Sequence, residues 1–560
     1  MATSQNQQLG SDVCVVGTGA LGLLALKNLR EQGLDARALE RHEHIGGTWH
    51  ASQNVEQTTA TEYTTANTSK QCCAITDFPM PDEFPMHPPQ KDLERYFESY
   101  ATKFDLFRHI EFSISVDHIE RDEQQKKWRV FTKNVKTGVE EVRSYSRVVV
   151  ATGMLNTKHM PNVKGIEKFA GDSIHSRQFK DVSKYRGKNV IVVGVGATGV
   201  DSTSFLVKGG AKQVYASHRG TVFVSKLPRR VKGQGFEHNL SRRISMCIRA
   251  LGNFSPTILA TFMTKMMVSV RDKEWPLMKD ILKDRPVDGV FHRIPLFSED
   301  LADNLKSGSV KSVRGIQEIT GPKTVALTDG TILEDIDAII FCSGYGYDFS
   351  IIKGPGDPTD PAIAPGHNKK IEAAEYYKDE DKFARLYHGF MSEQFPDSLA
   401  FIGHVIIMRP PFVLYDIVTM ALAGMWSGGY PIANEQERRK DIDDHYNFVV
   451  SILKRGPFPH LGFRFKMAKT YEFINQAAGT GVTDRLGCFT WEAWKLWWND
   501  RKFYNLLMDG TDVPAVYRLF DTGRGRKPWA GAREQIIKTN AEIKELGEVW
   551  KRENEDKKTN

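Results

Sequence analysis

Cysteine is scarce in this chain, with six in 560 residues at Cys14, Cys72, Cys73, Cys247, Cys342 and Cys488, and no two form a C-x-x-C. That argues against a cysteine-ligated zinc site and a dithiol redox centre, and describes a reduced, intracellular protein. The sixteen histidines show no metal-ligand spacing, so no metal is expected. No G-x-S-x-G elbow or other nucleophile motif is present. Long apolar runs are missing too. Met246 to Val270 comes closest, but Arg249, Asn253, Pro256 and Lys265 interrupt it, and Phe412 to Trp426 contains Asp416. Each reads as a packed or surface-lying helix rather than a membrane span. Met1 to Gly10 is polar and carries no apolar h-region. The net charge of +7 is modest. Its clearest basic run, Arg229-Arg230-Val231-Lys232, lacks a stacking aromatic series, which speaks against nucleic acid.

What is present is one fingerprint written twice. Gly17-Thr18-Gly19-Ala20-Leu21-Gly22 follows the apolar run Val13-Cys14-Val15-Val16, and Gly194-Val195-Gly196-Ala197-Thr198-Gly199 follows Val190-Ile191-Val192-Val193. Both read as buried strand, tight turn and helix, with a pyrophosphate received at the helix N-terminus. Twenty-three residues beyond each first glycine stand Glu40 and Ser217. A carboxylate there accepts from a ribose diol and repels a 2′-phosphate. In the second copy the acid is absent and Arg219 follows two residues later, a planar guanidinium suited to a phosphate dianion. The first copy is therefore expected to bind FAD or NAD, the second NADPH.

The expected fold class is α/β, with two Rossmann-like dinucleotide-binding domains, the second inserted in the first. The FAD-binding domain is placed at 1–182 and 336–560 and the NADPH-binding domain at 183–335, with a largely helical insertion at about 227–300. There the strand–turn–helix grammar gives way to basic, proline-marked sequence. Hairpins are expected at Lys127–Lys133 with Val139–Tyr145, and around Asp329-Gly330. The last twenty residues or so read as disordered. Lys557-Lys558-Thr559-Asn560 resembles a dilysine endoplasmic-reticulum retrieval tail, although coincidence in a charged terminus is the simpler reading.

Two further segments carry a resemblance. Phe169 to Phe179 fits F-x-G-x-x-x-H-x-x-x-[YF], with Gly171 and His175 at the fixed positions. Asn67-Thr68-Ser69-Lys70 precedes Asp77-Phe78-Pro79-Met80-Pro81. With Gly46-Gly47-Thr48-Trp49, Ala151-Thr152-Gly153 and Ser343-Gly344-Tyr345 in the same order, residues 11 to about 430 resemble the flavin-containing monooxygenases. Thr198 stands where that family usually has Ser, Cys342-Ser343 replaces its usual Ala-Thr, and the apolar C-terminal anchor of the animal enzymes is missing.

The resemblance implies that NADPH reduces FAD, that the flavin adds O2 at C4a, and that a small soft nucleophile, amine nitrogen or sulfur, takes one oxygen atom. Water exclusion then matters more than acid–base chemistry. Asn67 fits the family's active-site asparagine, with a helix or turn cap as its alternative reading. Gly17, Gly19, Gly22, Glu40, Gly47, Thr48 and Trp49 are expected on the FAD side. Gly194, Gly196, Gly199, Ser217 and Arg219 are expected on the NADPH side. His175 reads as a structural link that positions NADP+ rather than as an acid. Baeyer–Villiger oxygenation of a ketone is the alternative activity, although that group's signature normally ends in Trp where this chain has Phe179. The expected location is cytoplasmic. Peripheral contact with the endoplasmic reticulum through Met246–Val270, and a homodimer, stay open.

Overall fold

The computed structural model describes residues 10–219, 224–225, 230–255, 258–259, 261–266, 269, 296–298, 300–363, 371, 382–407, 409–454, 467–487, 490–524 and 526–559. Arg229 and Gly220, and parts of the expected insertion and of Met246–Val270, lie outside the described residues.

Val13, Cys14, Val15 and Val16 form the strand Asp12–Val16, and all four are buried. A strand covered on both faces needs no polar alternation. It lies inside a seven-stranded sheet ordered Leu386–Tyr387, Met391–Ser392, Leu399–Phe401, Arg147–Val150, Asp12–Val16, Asp35–Glu40, Ile110–Phe112. The last five of these strands run parallel. Helix Ala20–Glu31 crosses between Asp12–Val16 and Asp35–Glu40, burying Leu23, Leu24, Leu26 and Leu29, and Gly33 then turns the chain with φ +83°.

The second fingerprint builds a second parallel sheet, ordered Val310–Arg314, Gln213–His218, Asn189–Val193, Ala338–Phe341, Asp172–His175. The fold is thus α/β with two doubly wound units. The boundaries expected at 182 and 336 cut through this sheet, because Asp172–His175 and Ala338–Phe341 are two of its strands. Asp172–His175 is an edge strand with two exposed residues, so it carries no apolar run to announce itself.

A smaller, mostly antiparallel sheet packs on one face of the first sheet. The expected hairpin, seen as Lys127–Asn134 with Glu140–Tyr145, gains Ile114–Asp122 as a third strand. The second expected hairpin pairs Thr324–Leu327 with Ile332–Leu333.

Helices fill most of the C-terminal part. Pro411–Trp426 is buried almost all round, and its Asp416 accepts from Asn28 Nδ2 (2.8 Å) and from the Thr76 N–H (3.1 Å) and hydroxyl (2.5 Å). A carboxylate so satisfied can lie in a core. Arg518 returns to the first helix, 2.5 Å from Glu31 and 3.4 Å from Asp77, while Lys27 meets Asp77 at 2.5 Å. The expected disorder at the C-terminus is corrected: residues 532–559 form one helix, Ala532–Thr559. Ala532, Ile536, Thr539 and Ile543 are buried along it at helical spacing, a stripe hidden by the surrounding charge. Among the described residues no helix is long and apolar enough to cross a membrane.

Candidate functional site

Each fingerprint turn is locked by its first and third glycines. Gly17 and Gly194 have φ of +96° and +99°, which L side chains rarely adopt. A Cβ on Gly22 or Gly199 would come within 2.0 Å or 1.9 Å of the carbonyl oxygen of Gly17 or Gly194. The middle glycines differ. A Cβ on Gly196 would meet nothing within 4 Å, and one on Gly19 would approach the Gly47 Cα at 3.7 Å. Both middle glycines are helix N-caps without a side-chain bond, so the first N–H groups of Ala20–Glu31 and Ala197–Lys208 face outward bare. Such a cradle fits a dinucleotide pyrophosphate.

The Gly46-Gly47-Thr48-Trp49 loop folds directly onto the first turn. The Gly46 N–H donates to the Thr18 carbonyl at 3.0 Å, and a Cβ on Gly47 would strike the Gly19 Cα at 2.9 Å. Thr48 accepts from the Ala60 N–H through its carbonyl (2.7 Å). Trp49 packs edge-on against Phe412, with ring centroids 6.0 Å apart. Glu40 is buried at the end of its strand. Its Oε2 accepts from the Thr18 N–H and hydroxyl, and its Oε1 from the His42 N–H at 3.0 Å. The carboxylate thus braces the turn while keeping lone pairs for a further donor.

Buried Gln90 brings the segment carrying Asn67 to this place. Its amide donates to the Trp49 carbonyl (2.5 Å) and its N–H to the Thr64 carbonyl (2.9 Å). Ala66 and Lys70 are tied to the carbonyls of Pro88 and Met86. Between those ties Asn67 is exposed and makes no side-chain hydrogen bond among the described residues. It does not cap the next helix, Lys70–Cys73, whose N-cap is Ser69. Lys70 is structural: its buried ammonium donates to the carbonyls of Asp82 (2.6 Å), Phe84 (2.8 Å) and Pro81 (3.3 Å).

Sequence reasoning missed a contact from the insertion. The Ser69 N–H donates to Glu237 (2.6 Å) and its hydroxyl meets His238 Nε2 (2.8 Å). Because His238 Nδ1 accepts from the Gly235 N–H (3.1 Å), Nε2 carries the proton and donates to Ser69. Burial pushes the His238 pKa down to about 4, so the ring is neutral at pH 7. The donor atoms of Cys72, Glu237 and His238 lie within 4.8 Å of one another, but both ring nitrogens are already engaged.

On the second turn, Ser217 is buried and spends its hydroxyl on the Arg314 carbonyl (3.0 Å), while its own carbonyl accepts from the Gly194 N–H (2.9 Å). Arg219 is exposed just past the strand, with its stem against Gly315, where a Cβ would lie 2.9 Å from the arginine Cγ. Buried His175 is neutral by the same logic as His238. Nδ1 accepts from the Arg177 N–H (3.1 Å), Nε2 faces the Gly344 carbonyl (3.1 Å), and burial lowers its pKa. It ties its edge strand to the Ser343-Gly344-Tyr345 turn. Contacts among the described residues that join the units include two from Lys180 and Tyr63. Lys180 reaches the Gln57 carbonyl (2.9 Å), and Tyr63 packs on Phe205 at 5.5 Å.

The model of the family described as FMO-like, flavin-binding monooxygenase-like, matches residues 10–356, more than half of the chain and both fingerprints. The chain belongs to that family. This monooxygenase is 33% identical to monooxygenase aurF of Gibberella zeae, over 95% of this chain and 97% of that one. It is 30% identical to flavin-containing monooxygenase 3 of Rattus norvegicus, over 94% and 91% of the two chains. Among solved structures, S-allyl-L-cysteine S-oxygenase from Allium sativum superposes with a TM-score of 0.60 at 17% identity, covering 94% and 98%. Cyclohexanone monooxygenase from Rhodococcus sp. Phi1, bound to NADP+, gives 0.58 at 20% identity, covering 84% and 97%. The enzyme is accordingly an FAD-containing, NADPH-dependent monooxygenase.

Proposed function

We propose that the enzyme transfers one oxygen atom from O2 to a soft nucleophile, amine nitrogen or sulfur, of a small organic substrate. The observation that carries this reading is the convergence of Trp49 and Asn67 beside the first glycine turn, held through Gln90. When bound, the flavin supplies hydride acceptance from NADPH and activation of O2.

The chain's own residues hold and shield. The Gly17–Gly19 and Gly194–Gly196 turns would offer helix N–H groups to the pyrophosphates, Glu40 would receive the ribose of FAD, and Arg219 the 2′-phosphate of NADPH. Asn67 presents a neutral amide, donor and acceptor at once, without adding a proton source. Trp49 and Phe412 form an apolar wall that keeps water out. His175, neutral and doubly hydrogen-bonded, fixes the turn before Tyr345 instead of moving protons.

The test is turnover. NADPH and O2 should convert methyl phenyl sulfide or N,N-dimethylaniline to the sulfoxide or N-oxide, with little hydrogen peroxide released. Conversion of cyclohexanone to a lactone, with sulfide and amine untouched, would replace this reading by Baeyer–Villiger chemistry.

A lipid surface is the second partner in this reading. From Asn239 to Arg271 the chain has five cations and no Asp or Glu, although Arg242 is buried against Asp512 and Arg243 pairs with Asp509. Along this stretch Phe254, Ile258 and Phe262 are 87%, 59% and 63% exposed, each four residues after the last. Helix Trp491–Asn499 exposes Trp491, Trp494 and Trp498 on one face beside Lys495. Aromatic rings at helical spacing flanked by cations suit the interface of an anionic bilayer.

A further inference from the structure

Three arginines from two parts of the chain gather around one carboxylate. Arg242 opens helix Arg242–Phe254, Arg249 lies two turns on, and Arg409 precedes helix Pro411–Trp426. Asp512 takes the Arg242 guanidinium on one oxygen and Arg409 on the other, at 2.6 Å for the latter. Arg249 and Arg409 lie over the Tyr471 ring, 4.8 and 5.0 Å from its centroid, and Arg242 donates to the Tyr471 hydroxyl at 3.3 Å.

The charges do not balance. Asp512 is the carboxylate that pairs with Arg242 and Arg409, and the acidic groups beside the three cations also include the Tyr471 and Tyr517 phenols. Arg242 and Asp512 are almost fully buried, and the Arg242 Nε has no hydrogen-bond partner. Burying guanidinium without matching anion is strongly unfavourable. Burial pushes the Tyr471 phenol up, yet Arg242 and Arg409 outweigh it and hold its pKa below the ordinary value. Tyr517, whose hydroxyl lies 3.1 Å from that of Tyr471, is instead pushed up by burial. It is therefore the pairing geometry, two guanidinium groups on one carboxylate with the Arg242 Nε left over, that makes room for a further negative charge. Arg249 is half-buried and Arg409 15% exposed, so the cluster has an open side.

Its place is informative. Arg409 lies between the carboxyl end of strand Leu399–Phe401 and Phe412, the ring against Trp49. Arg242 follows His238, which holds Ser69, two residues from Asn67, and Thr511 beside Asp512 donates to the His238 carbonyl (2.8 Å). The geometry points to an anion-binding site made by Arg242, Arg249 and Arg409, which receives a carboxylate or acidic phenolate carried by the substrate. A planar oxyanion matches the guanidinium fork in two parallel bonds. This assignment rests on the monooxygenase reading of the neighbouring site and names the substrate class: organic acids bearing a soft nucleophile.

Benzoate titrated calorimetrically into the FAD-loaded enzyme should bind, the neutral isostere benzamide should bind at least tenfold more weakly, and Arg249→Gln and Arg409→Gln should each weaken benzoate about tenfold. Arg249→Lys, which keeps the charge, should recover part of the loss. In turnover, the ratio of kcat/KM for 4-(methylthio)benzoate over methyl phenyl sulfide should exceed ten and fall towards one in the glutamine variants. Equal binding of benzoate and benzamide, or benzoate affinity unmoved by either glutamine, overturns the site. So does displacement of benzoate by equimolar inorganic phosphate, which would make the ligand a phosphate. Arginine-dependent benzoate binding with neither sulfide oxygenated would sustain the anion site and sink the soft-nucleophile reading instead.

Discussion

The Glu40 carboxylate closes on Thr18, the second residue of the first glycine turn, 2.8 Å from its N–H and 2.9 Å from its hydroxyl. Strand end and turn are thereby one unit, fixed before any cofactor arrives. Glu40→Ala would strand these donors and the His42 N–H in a buried place, at about 1–3 kcal/mol. Glu40→Gln keeps an acceptor for Thr18 and should lose less. We expect weaker flavin retention in the order wild type, Gln, Ala, read as FAD released on dilution and gel filtration. Full flavin content in the alanine variant would show that the turn needs no such brace.

Arg219 stands at the mouth of the second turn, past a strand whose Ser217 hydroxyl is already committed to Arg314. The guanidinium is then the main candidate for the 2′-phosphate. Arg219→Ala should raise the KM for NADPH about 10- to 100-fold, the worth of charge-assisted hydrogen bonds, and leave that for NADH nearly unchanged. Equal losses for both coenzymes would remove Arg219 from that role.

Both doubly wound units were legible from the sequence because buried parallel strands read as apolar runs and the turns demand glycine at fixed spacing. Asp172–His175 escaped assignment to the second sheet because an edge strand keeps polar residues. The bracing role of Glu40 was not visible either, since its partner Thr18 lies twenty-two residues away. The Ser69–His238 contact and the arginine cluster join residues more than a hundred positions apart. No local pattern encodes them. They follow from where the insertion and the C-terminal helices dock.

Acid should loosen the fold in a defined window. His404 is buried, and burial lowers its pKa from 6.5 to about 4; burial does the same at His238 against the raising charge of Glu237. The unfolded chain therefore binds protons at these rings that the folded chain refuses. Their contribution is fully present above pH 6.5 and is lost as pH falls towards 4, up to about 3 kcal/mol for each ring. Thermal melts between pH 7.5 and 4.5 should show a falling Tm, and His404→Phe should flatten the slope below pH 6.5. An unchanged slope in that variant would mean His404 titrates normally.

The exposed aromatic faces predict reversible membrane binding. The enzyme should co-sediment with phosphatidylcholine vesicles containing about 30% phosphatidylserine and release at high salt, as an electrostatically assisted interfacial helix does. Replacing Phe254 and Phe262 together with Ser, or Trp491 and Trp498 together, should cut the bound fraction several-fold without altering far-UV dichroism. If wild type stays in the supernatant and instead elutes as a dimer that these changes dissociate, the faces cover a second copy of the chain.

Asn67 gives the sharpest test of the oxygenation site, because two outcomes that look alike in a single assay separate when both half-reactions are followed. Its amide is exposed and spends no hydrogen bond on the described residues. Asn67→Ala should therefore leave stability and the rate of flavin reduction by NADPH close to wild type. What it should change is the fate of the oxygen. With no amide at that position, NADPH oxidation continues while a larger share of the consumed O2 appears as hydrogen peroxide, and product per NADPH falls about tenfold or more, the scale of one directed hydrogen bond in a dry site. Ser69→Ala, which loosens the Asn67 loop from His238, should move coupling the same way by a smaller factor. A fall in the reduction rate with coupling intact would instead place Asn67 on the nicotinamide side of the reaction.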